Sequence, residues 1–382
     1  MRVALFTDTI GDLNGVSRFI QDMSKQSLLH NRDLQILCST RKYTPESANI
    51  HNHEPLLALP MPFYPELDLA LAHRARLHKT AQMLKPDVVH VSTPGPVGMA
   101  GLAFAKKHNL PVVGTYHTDF PAYVLKNTGF ETLKKVADRV MARFHKPFGH
   151  LLTRSDAYRS VISRDIRFPA DKIHLLPAGT DIAAFHPSWR DEKVWEGIEG
   201  LRPGSLKALY VGRISAEKNV PFLLEAWQSY QEEYGRKDRP VDLVLIGEGR
   251  LRKEADKWRK HHAFMIGPVV GKKLLRLYAS ADFFLFPSVT DTLGQVVMEA
   301  QSSGLPVVVT DQGGPQTLLN LKGEQTGIVA SAENLEAWVG AIRHLVDDAA
   351  FRKTLGEAAH RSMQLLPIER SFHAFWQTHC NL

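Results

Sequence analysis

Two carboxylates, Asp291 and Glu299, are separated by seven residues in a segment that follows an apolar run from Phe283 to Phe286. We expect Thr292-Leu293-Gly294 to open a helix there, and the free backbone N–H groups at a helix start form an anion site. From Leu293 to Glu299 such a helix would cover roughly 9 Å, at ~1.5 Å per residue. A diphosphate could bind at the helix start, with one carboxylate reaching each sugar that flanks it. This layout favours a nucleotide-sugar site.

A pair of cations follows another predicted strand, Leu209–Val211. Arg213 and Lys218 lie in the segment after Gly212, a residue that lets the chain turn closely at the strand end. Two fixed cations at that position would stabilise a diphosphate leaving group as negative charge develops on it. A solvated surface loop is the alternative, but the position at a strand end, shared with Asp291, favours the binding role.

The other donor-site candidates carry weaker signals. Gly247 belongs to a two-glycine turn that any tight strand-to-helix connection would use, and Ile266 ends the next apolar run. Near the N-terminus, Gly15 could bring backbone N–H groups close to a phosphate at the following helix start, with a plain Asn-Gly turn as the alternative. The segment around Gly15 lacks the GxGxxG spacing of a dinucleotide site, which argues against a dehydrogenase.

His117 leaves the carboxyl end of a predicted strand, Val112–Thr115, and Asp119 follows two residues later. A lone histidine is more often structural than catalytic. At a strand end it could instead hydrogen-bond a hydroxyl of the donor sugar and shield a developing oxocarbenium ion. The family resemblance that the whole set of motifs carries is the main support for that role.

The segment from Glu131 to Phe148 predicts an amphipathic helix with a basic stripe. Lys135, Arg139 and Arg143 recur at the spacing of one helix face. The apolar side is formed by Leu133, Val136, Val140 and Phe144. Such a stripe can dock on anionic lipid headgroups and so mark a membrane or acceptor surface, although many stripes of this kind are solvated faces.

We expect no metal cofactor and no disulfide. No Asp-x-Asp pair occurs in the chain, and metal-dependent glycosyl transfer usually relies on such a pair to bridge the diphosphate. Arg213, Lys218 and helix-start N–H groups would have to replace the metal. Cys38 and Cys380 are the cysteines of the chain, and they form no CxxC pair, which excludes a zinc cluster of that kind.

Short apolar runs alternate with longer helical patterns, which predicts an α/β protein with parallel sheets. In the first half these runs are Val3–Phe6, Leu34–Leu37, Val88–Val91, Val112–Thr115, Leu151–Thr153 and Ile173–Leu176. In the second half they are Leu209–Val211, Leu243–Ile246, Phe264–Ile266, Phe283–Phe286, Val307–Val309 and Gly327–Val329. We therefore expect two Rossmann-like, doubly wound domains with a cleft between them. The expected boundaries are an N-terminal domain at 1–187, a linker at 188–204, a donor-binding domain at 205–360, and a helix at 361–382 that crosses back to the first domain.

The composition of the chain limits the classes of molecule that we expect it to bind. The chain has 382 residues, 44% of them hydrophobic and 23% charged, and a net charge of +7 that points to anionic partners. Nucleic acid is disfavoured because there is no Lys/Arg-rich tail and no aromatic–basic signature. No apolar run is long enough for a transmembrane helix, and Asp8 comes too early for a secretory signal. We expect a cytoplasmic protein, with peripheral attachment to the membrane through the basic stripe as an option.

Together the motifs resemble those of family 4 of the retaining glycosyltransferases, which have the GT-B fold. The resemblance runs from about Met1 to Arg361, and the order of its motifs is more specific than any single turn. The motifs are Asn14-Gly15, Pro86-Asp-Val-Val-His90, His117, Gly212-Arg213, Glu217-Lys218, Gly247-x-Gly249 and Asp291-x7-Glu299. Three further segments are similar to the branch that contains lipid mannosyltransferases and sulfoquinovosyl-diacylglycerol synthases: Val91–Gly98, Tyr116–Phe120 and Phe63–Glu66.

The resemblance implies a role for each matching position. Arg213 and Lys218 would hold the donor diphosphate, approached by Gly15 from the N-terminal domain. Thr292, Leu293 and Gly294 would offer backbone N–H groups, and Glu299 would accept hydrogen bonds from the ribose. Asp291 and His117 would face the transferred sugar. The resemblance also implies metal-free turnover with retention, by front-face attack in which the leaving phosphate acts as the base.

Two departures from the family pattern stand out. The motif normally opens with glutamate, whereas Asp291 is shorter by roughly 1.5 Å, one carbon–carbon bond. Proline usually follows the second glycine of the Gly-x-Gly turn, where this chain has Arg250. The first departure bears on the choice of donor, and the second on a loop.

The leading hypothesis is transfer of a hexose from a UDP- or GDP-linked sugar to a hydroxyl of a lipid or lipid-linked acceptor. The same donor chemistry on a soluble sugar, a small molecule or a tRNA is a second reading. A nucleotide-sugar epimerase with the same fold is a third, and a degenerate domain that only binds nucleotides or polyanions is a fourth. Turnover without any acceptor would favour the epimerase, and no turnover with any donor would favour the degenerate domain.

Overall fold

The computed structural model describes residues 1–12, 14–61, 64–154, 156–291, 293–321 and 323–382. It divides into two compact units. The first contains Met1–Ala178 together with Glu369–Leu382, and the second contains Gly179–Ile368.

Both units alternate strands and helices along the chain. The strands are β1 (Arg2–Thr7), β2 (Asp33–Cys38), β3 (Ile50–Asn52), β4 (Leu57–Met61), β5 (Tyr64–Leu71), β6 (Val88–Val91), β7 (Val112–Tyr116), β8 (His150–Thr153), β9 (Ile173–Leu175), β10 (Leu206–Val211), β11 (Val241–Ile246), β12 (Ala263–Gly267), β13 (Phe283–Phe286), β14 (Val307–Thr310) and β15 (Gly327–Ala330). The helices are α1 (Gly15–Leu29), α2 (Arg74–Leu84), α3 (Pro96–His108), α4 (Phe120–Thr128), α5 (Glu131–His145), α6 (Asp156–Arg164), α7 (Val220–Tyr234), α8 (Ala255–Arg259), α9 (Gly271–Ser280), α10 (Gln295–Ser302), α11 (Leu335–Asp347), α12 (Ala349–Met363) and α13 (Ile368–Cys380).

The sheet of the first unit has the order β3-β2-β1-β6-β7-β8-β9, and the sheet of the second has the order β12-β11-β10-β13-β14-β15. Their strand pairs are parallel. In each sheet the chain winds outwards in one direction and then in the other, from β1 to β6 and from β10 to β13. Ligands of open α/β sheets bind beyond the carboxyl ends of the strands at such a reversal point. This topology is the predicted fold class, which is therefore confirmed.

The central strands form because their residues are mostly apolar on both faces, as a sheet covered by helices on both sides requires, and His90 of β6 is a buried polar exception. All four residues of β6 and all four of β13 are buried. Each predicted apolar run forms a strand. The sequence patterns missed β3, a short edge strand with the residues Ile-His-Asn, and the antiparallel hairpin of β4 and β5, which lies outside the main sheet.

The segment 188–204, which we expected to be a linker, belongs to the second unit. Trp195 is buried there, and its indole N–H donates to the carbonyl of Ser280 at 3.3 Å. The burial of this large aromatic side chain ties the segment to its own unit. Within the helices that the structure describes, none is both long and apolar enough to cross a membrane.

Helix α13 packs in the first unit through Phe372 and Phe375, which are fully buried. A chain of buried hydrogen bonds also joins it to the sheet. His379 Nδ1 lies 2.8 Å from the carbonyl of Phe375, so this nitrogen carries the proton and His379 Nε2 accepts from His90 Nδ1 at 2.9 Å. His90 Nε2 then accepts from the hydroxyl of Thr115 at 3.0 Å. Burial lowers the pKa of His379 to about 4 and the pKa of His90 well below its usual value, so both imidazoles are neutral near pH 7.

Candidate active site

Lys218 and Asp291 meet at the reversal point of the second sheet. Lys218 closes a turn after β10, and Asp291 lies in the loop after β13, the strand that pairs with β10. The Nζ atom of Lys218 lies 2.9 Å from Oδ1 and 2.7 Å from Oδ2 of Asp291. The two side chains are only 15% and 24% exposed. The structure thus brings together a predicted phosphate ligand and a predicted sugar ligand as an ion pair.

Arg213 lies in the same loop as Lys218 and is ion-paired with Glu217. Its backbone is fixed by a hydrogen bond from Tyr210, a fully buried residue whose hydroxyl donates to the carbonyl of Arg213 at 2.7 Å. Burial, and after it the nearby Asp291 carboxylate, raises the pKa of Tyr210 well above its usual value. Tyr210 was not among the predicted site residues. The sequence feature that could have pointed to Tyr210 is its hydroxyl group, the single one in the otherwise apolar end of β10.

Gly247 has a structural reason to be glycine. A Cβ atom there would lie 1.9 Å from the carbonyl oxygen of Gly212, and φ is +145°. The loops after β10 and β11 therefore touch through their backbones, and Gly212 N donates to Ile246 O at 3.0 Å. Ile266 lies at the end of the next strand, β12, and is partly exposed.

The predicted helix start after β13 is shifted. Helix α10 begins at Gln295, so Leu293 and Gly294 precede it, and Thr292 lies outside the described residues. Gly294 caps the helix with φ +75°, and a Cβ atom there would lie 2.8 Å from Cγ of Pro315. This left-handed turn delays the helix.

Glu299 consequently lies about one turn into α10, or about 6 Å at ~1.5 Å per residue, rather than about two turns. Glu299 is 5% exposed, and the hydroxyl of Tyr278 donates to its Oε2 atom at 3.0 Å. One oxygen of this carboxylate therefore already accepts a hydrogen bond within the protein.

The loop after β14 supports Asp291 and was missed by the sequence patterns. Gly314 N donates to the carbonyl of Asp291 at 2.8 Å. The hydroxyl of Thr290 donates to the carbonyl of Glu217 at 3.3 Å, which ties the loop after β13 to the loop after β10. The available signal was Gly313-Gly314-Pro315, a turn sequence directly beyond a predicted strand.

In the first unit, His117 follows β7 and is partly exposed. Its Nε2 atom lies 3.0 Å from the hydroxyl of Ser92, which follows β6, and its ring meets the ring of Phe19 edge-on at 5.4 Å. Burial, and after it the charge of Arg154, lowers the pKa of His117 to about 3. His117 is therefore a neutral hydrogen-bonding group near pH 7 and carries no proton for general acid catalysis there.

Arg154 is a further residue of this site that the sequence patterns missed. Its guanidinium lies over the ring of Phe19 at 5.1 Å, and burial lowers its pKa to about 10. A basic residue directly after the apolar run Leu151–Thr153 was the signal that could have revealed it.

Two helix starts at the same edge of the first sheet differ in what lies on them. The start of α3 holds the protein's own carboxylate, because Asp8 accepts from Val97 N at 2.8 Å and from Gly98 N at 3.2 Å. Burial raises the pKa of Asp8. The start of α1 is capped by the amide of Asn14, whose Oδ1 accepts from Val16 N at 3.0 Å and from Ser17 N at 2.8 Å. Gly15 beside it is exposed, and no heavy atom lies within 4 Å of where its Cβ would be. The packing of this unit does not require glycine at position 15.

Lys135, Arg139 and Arg143 lie exposed on α5, as the stripe predicted. The apolar side of the helix does not face the core along its whole length, because Leu133, Val136 and Val140 are exposed too. Of that apolar set, Phe144 packs against the core of the unit. Across the described part of the chain, no three His, Cys, Asp or Glu side chains gather as a metal site.

Both halves of the chain match known family models. Residues 205–348 match "Glycosyl transferases group 1", and residues 13–184 match "Glycosyltransferase Family 4".

Three known glycosyltransferases are similar in sequence to most of this chain. The sulfoquinovosyl transferase SQD2 of Arabidopsis thaliana is 30% identical over 309 residues, which are 80% of this chain and 59% of that protein. This chain thus spans less than two thirds of that relative's length. A GDP-mannose-dependent alpha-mannosyltransferase of Mycobacterium tuberculosis (strain CDC 1551 / Oshkosh) is 30% identical over 293 residues, 75% of this chain and 71% of the relative. An alpha-monoglucosyldiacylglycerol synthase of Streptococcus pneumoniae (strain ATCC BAA-255 / R6) is 26% identical over 321 residues, 81% and 70% of the two chains.

Among solved structures, Anabaena Alr3699/HepE in complex with UDP and glucose superposes with a TM-score of 0.75 at 15% identity, over 100% of both chains. The likeness concerns the fold, and the structural neighbours are GT-B glycosyltransferases. The family models and the relatives confirm the family that the motifs predicted, and the structural likeness confirms the fold: this chain belongs to glycosyltransferase family 4 and has the GT-B fold.

Proposed function

We propose that this protein transfers a hexose from a nucleoside diphosphate sugar, UDP- or GDP-linked, to a hydroxyl of a lipid or lipid-linked acceptor. The anomeric configuration is retained and no metal takes part. The observation that carries the proposal is the contact of Lys218 with both carboxylate oxygens of Asp291 at the reversal point of the second sheet.

The donor diphosphate would bind above this reversal point. Lys218 and Arg213 supply two cations there, and both enter side-chain ion pairs within the site, with Asp291 and Glu217. A diphosphate carries enough charge to exchange these partners, which would free the Asp291 carboxylate for hydroxyls of the transferred sugar. The cations would then stabilise the charge that develops as the sugar–phosphate bond breaks.

Two features of these side chains support retention without a metal. The cations take over the charge neutralisation that a divalent ion provides in other transferases. His117, neutral near pH 7, would hydrogen-bond the sugar and is not suited to protonate the leaving group. The leaving phosphate itself would accept the proton of the attacking hydroxyl on the same face of the sugar.

A lipid acceptor is supported by a relative and by a surface. The Streptococcus pneumoniae relative is described as a synthase of a glucosylated diacylglycerol. Helix α5 of this chain exposes cations and aliphatic side chains together, as a protein that works at a lipid surface requires.

The test is a transfer assay with radiolabelled UDP-glucose, UDP-galactose and GDP-mannose, each with diacylglycerol-based acceptors in mixed micelles, with and without EDTA. We expect labelled lipid with one of these donors, unchanged by EDTA, and a product whose anomeric proton shows the donor's configuration by NMR. A product of inverted configuration, or activity that EDTA abolishes, would contradict the proposal. Turnover without acceptor would indicate the epimerase, and turnover with soluble sugars or tRNA alone would indicate a different acceptor class.

A further inference from the structure

Helix α5 buries an ion-pair cluster against its own unit along its first half and leaves a row of apolar side chains in solvent, unlike an ordinary amphipathic helix on a protein core. On its inner side Lys134 Nζ lies 3.0 Å from Asp138 and 3.6 Å from Asp165, and these three side chains are about four-fifths buried. Met141 and His145 are buried beside them. The helix is therefore anchored by an ion-pair cluster and two side chains near its end.

Its outer side carries a row of large apolar side chains. Leu133, Val136 and Val140 are 45%, 51% and 60% exposed, and Phe130, just before the helix, is 63% exposed. The three helical residues recur at the spacing of one face and run for about 10 Å along the axis. Contiguous apolar surface of this kind marks an interaction site more often than single exposed residues do.

A row of cations runs beside the apolar row. Lys135, Arg139 and Arg143 are spaced one turn apart and are all exposed. The two rows together make up what we call the α5 face: Phe130, Leu133, Val136, Val140, Lys135, Arg139 and Arg143. Exposed aliphatic and cationic side chains in parallel rows match the boundary between acyl chains and headgroups of a bilayer.

We propose that the α5 face docks on a membrane that contains anionic phospholipids. The apolar row enters the boundary between headgroups and acyl chains, and the cationic row contacts headgroup phosphates. This goes beyond the proposed transfer reaction, because the face contains none of the donor-site residues and binding to vesicles needs no turnover.

Charge selects this occupant over a second copy of the chain. Two α5 faces in contact would bring six like charges into one interface, which is unfavourable. An anionic bilayer instead pairs each cation with phosphate, in keeping with the net charge of +7. The inner anchor made by Lys134, Asp138 and Asp165 leaves the apolar row free to enter lipid without unfolding the helix.

The test is sedimentation of the full-length protein with vesicles of phosphatidylcholine alone and with phosphatidylglycerol added. We expect binding that requires the anionic lipid. The variant Lys135→Gln, Arg139→Gln, Arg143→Gln should bind about 100-fold more weakly, since each cation near the surface contributes on the order of a factor of five. The variant Leu133→Gln, Val136→Gln, Val140→Gln should bind roughly tenfold more weakly with its charges intact.

The matched control is Lys106→Gln, Lys107→Gln, Lys172→Gln, which removes the same charge from other exposed positions of the first unit. It should bind almost as the wild type does. Equal loss in this control would overturn the proposal, because net charge rather than the face would then cause binding. If the apolar variant binds vesicles as the wild type does, the apolar row does not insert into lipid and the proposal is overturned. The proposal is also overturned if the wild type self-associates in sedimentation velocity and the apolar variant does not. Binding to tRNA but to no vesicle would overturn it as well. Donor hydrolysis in detergent, measured alongside, reports on the transfer reaction independently.

Discussion

The ammonium group of Lys218 lies 2.9 Å and 2.7 Å from the two carboxylate oxygens of Asp291, across the reversal point of the second sheet. Both residues come from loops that follow neighbouring strands, β10 and β13, so the pair fixes the two loops against each other. The pair also explains how a shorter carboxylate serves here. Asp291 already reaches the cation fully, so its length fits the partner on the neighbouring loop.

Replacing Lys218 with alanine should lower kcat/KM for the donor by about 100-fold or more, because the change removes a charge that stabilises the leaving diphosphate. Stability should fall by about 1–3 kcal/mol, since the pair is largely buried and its loss leaves the Asp291 carboxylate without its cation. Steady-state kinetics and urea unfolding measure the two effects. The matched control is Lys353→Ala, which removes another ion-paired lysine, 79% exposed on α12. Kinetics of Lys218→Ala that equal those of the control would contradict the assignment.

Asp291→Glu should lower kcat/KM for the native donor by about tenfold. The added methylene lengthens the side chain by roughly 1.5 Å. Because Asp291 already contacts Lys218 directly, the longer carboxylate has to displace the ammonium group or turn away from it. Kinetics with UDP- and GDP-linked sugars measure the effect. A gain in activity with the native donor would show that the short side chain is not matched to Lys218.

Tyr210→Phe should raise KM for the donor severalfold and lower the free energy of unfolding by about 1 kcal/mol. The change keeps the ring and removes the hydrogen bond from the Tyr210 hydroxyl to the carbonyl of Arg213, which holds the cationic loop. A suitable control is Tyr230→Phe, another buried tyrosine of the same unit, located on α7. If the two variants have the same donor KM, the loop does not depend on Tyr210.

Mild acid should destabilise the first unit through His90 and His379. Burial, as the largest cause, lowers the pKa of His379 to about 4 and that of His90 well below the ordinary 6.5. The unfolded chain therefore binds more protons than the folded one at pH values between these limits, so the stability is complete above pH 6.5 and is lost as the pH falls towards 4. Urea unfolding at several pH values measures this slope. His379→Gln should flatten it, whereas His373→Gln, an exposed site on the same helix, should not. Equal slopes in the wild type and His379→Gln would contradict this origin.

Sequence patterns were most successful where burial on both faces forces continuous apolar runs, as in β13. They failed where long-range packing decides the outcome. The helix after β13 starts late because Gly294 packs against Pro315, twenty-one positions further along the chain. The sequence showed which residues share the apolar side of α5. Only the structure shows that Leu133, Val136 and Val140 of that side are exposed. It also shows that Lys134 pairs with Asp138 and Asp165 on the inner side.

The candidate site shows the same division. Arg213, Lys218 and Asp291 follow strand ends, so their position at one edge of the sheet could be predicted, because parallel strands bring their carboxyl ends to one edge. Tyr210 and Gly314 could not be assigned in this way. Their roles depend on hydrogen bonds to backbone carbonyls of other loop residues, Arg213 and Asp291, which no local pattern encodes.

The most direct test of the central claim is isothermal titration of the wild type and Lys218→Ala with UDP and GDP, each with EDTA present and absent. We predict that one of these nucleotides binds the wild type with an affinity that EDTA leaves unchanged, and that Lys218→Ala binds it at least about tenfold more weakly. Binding of neither nucleotide, or equal affinities in the two proteins, would contradict a metal-free diphosphate site built on Lys218 and Asp291.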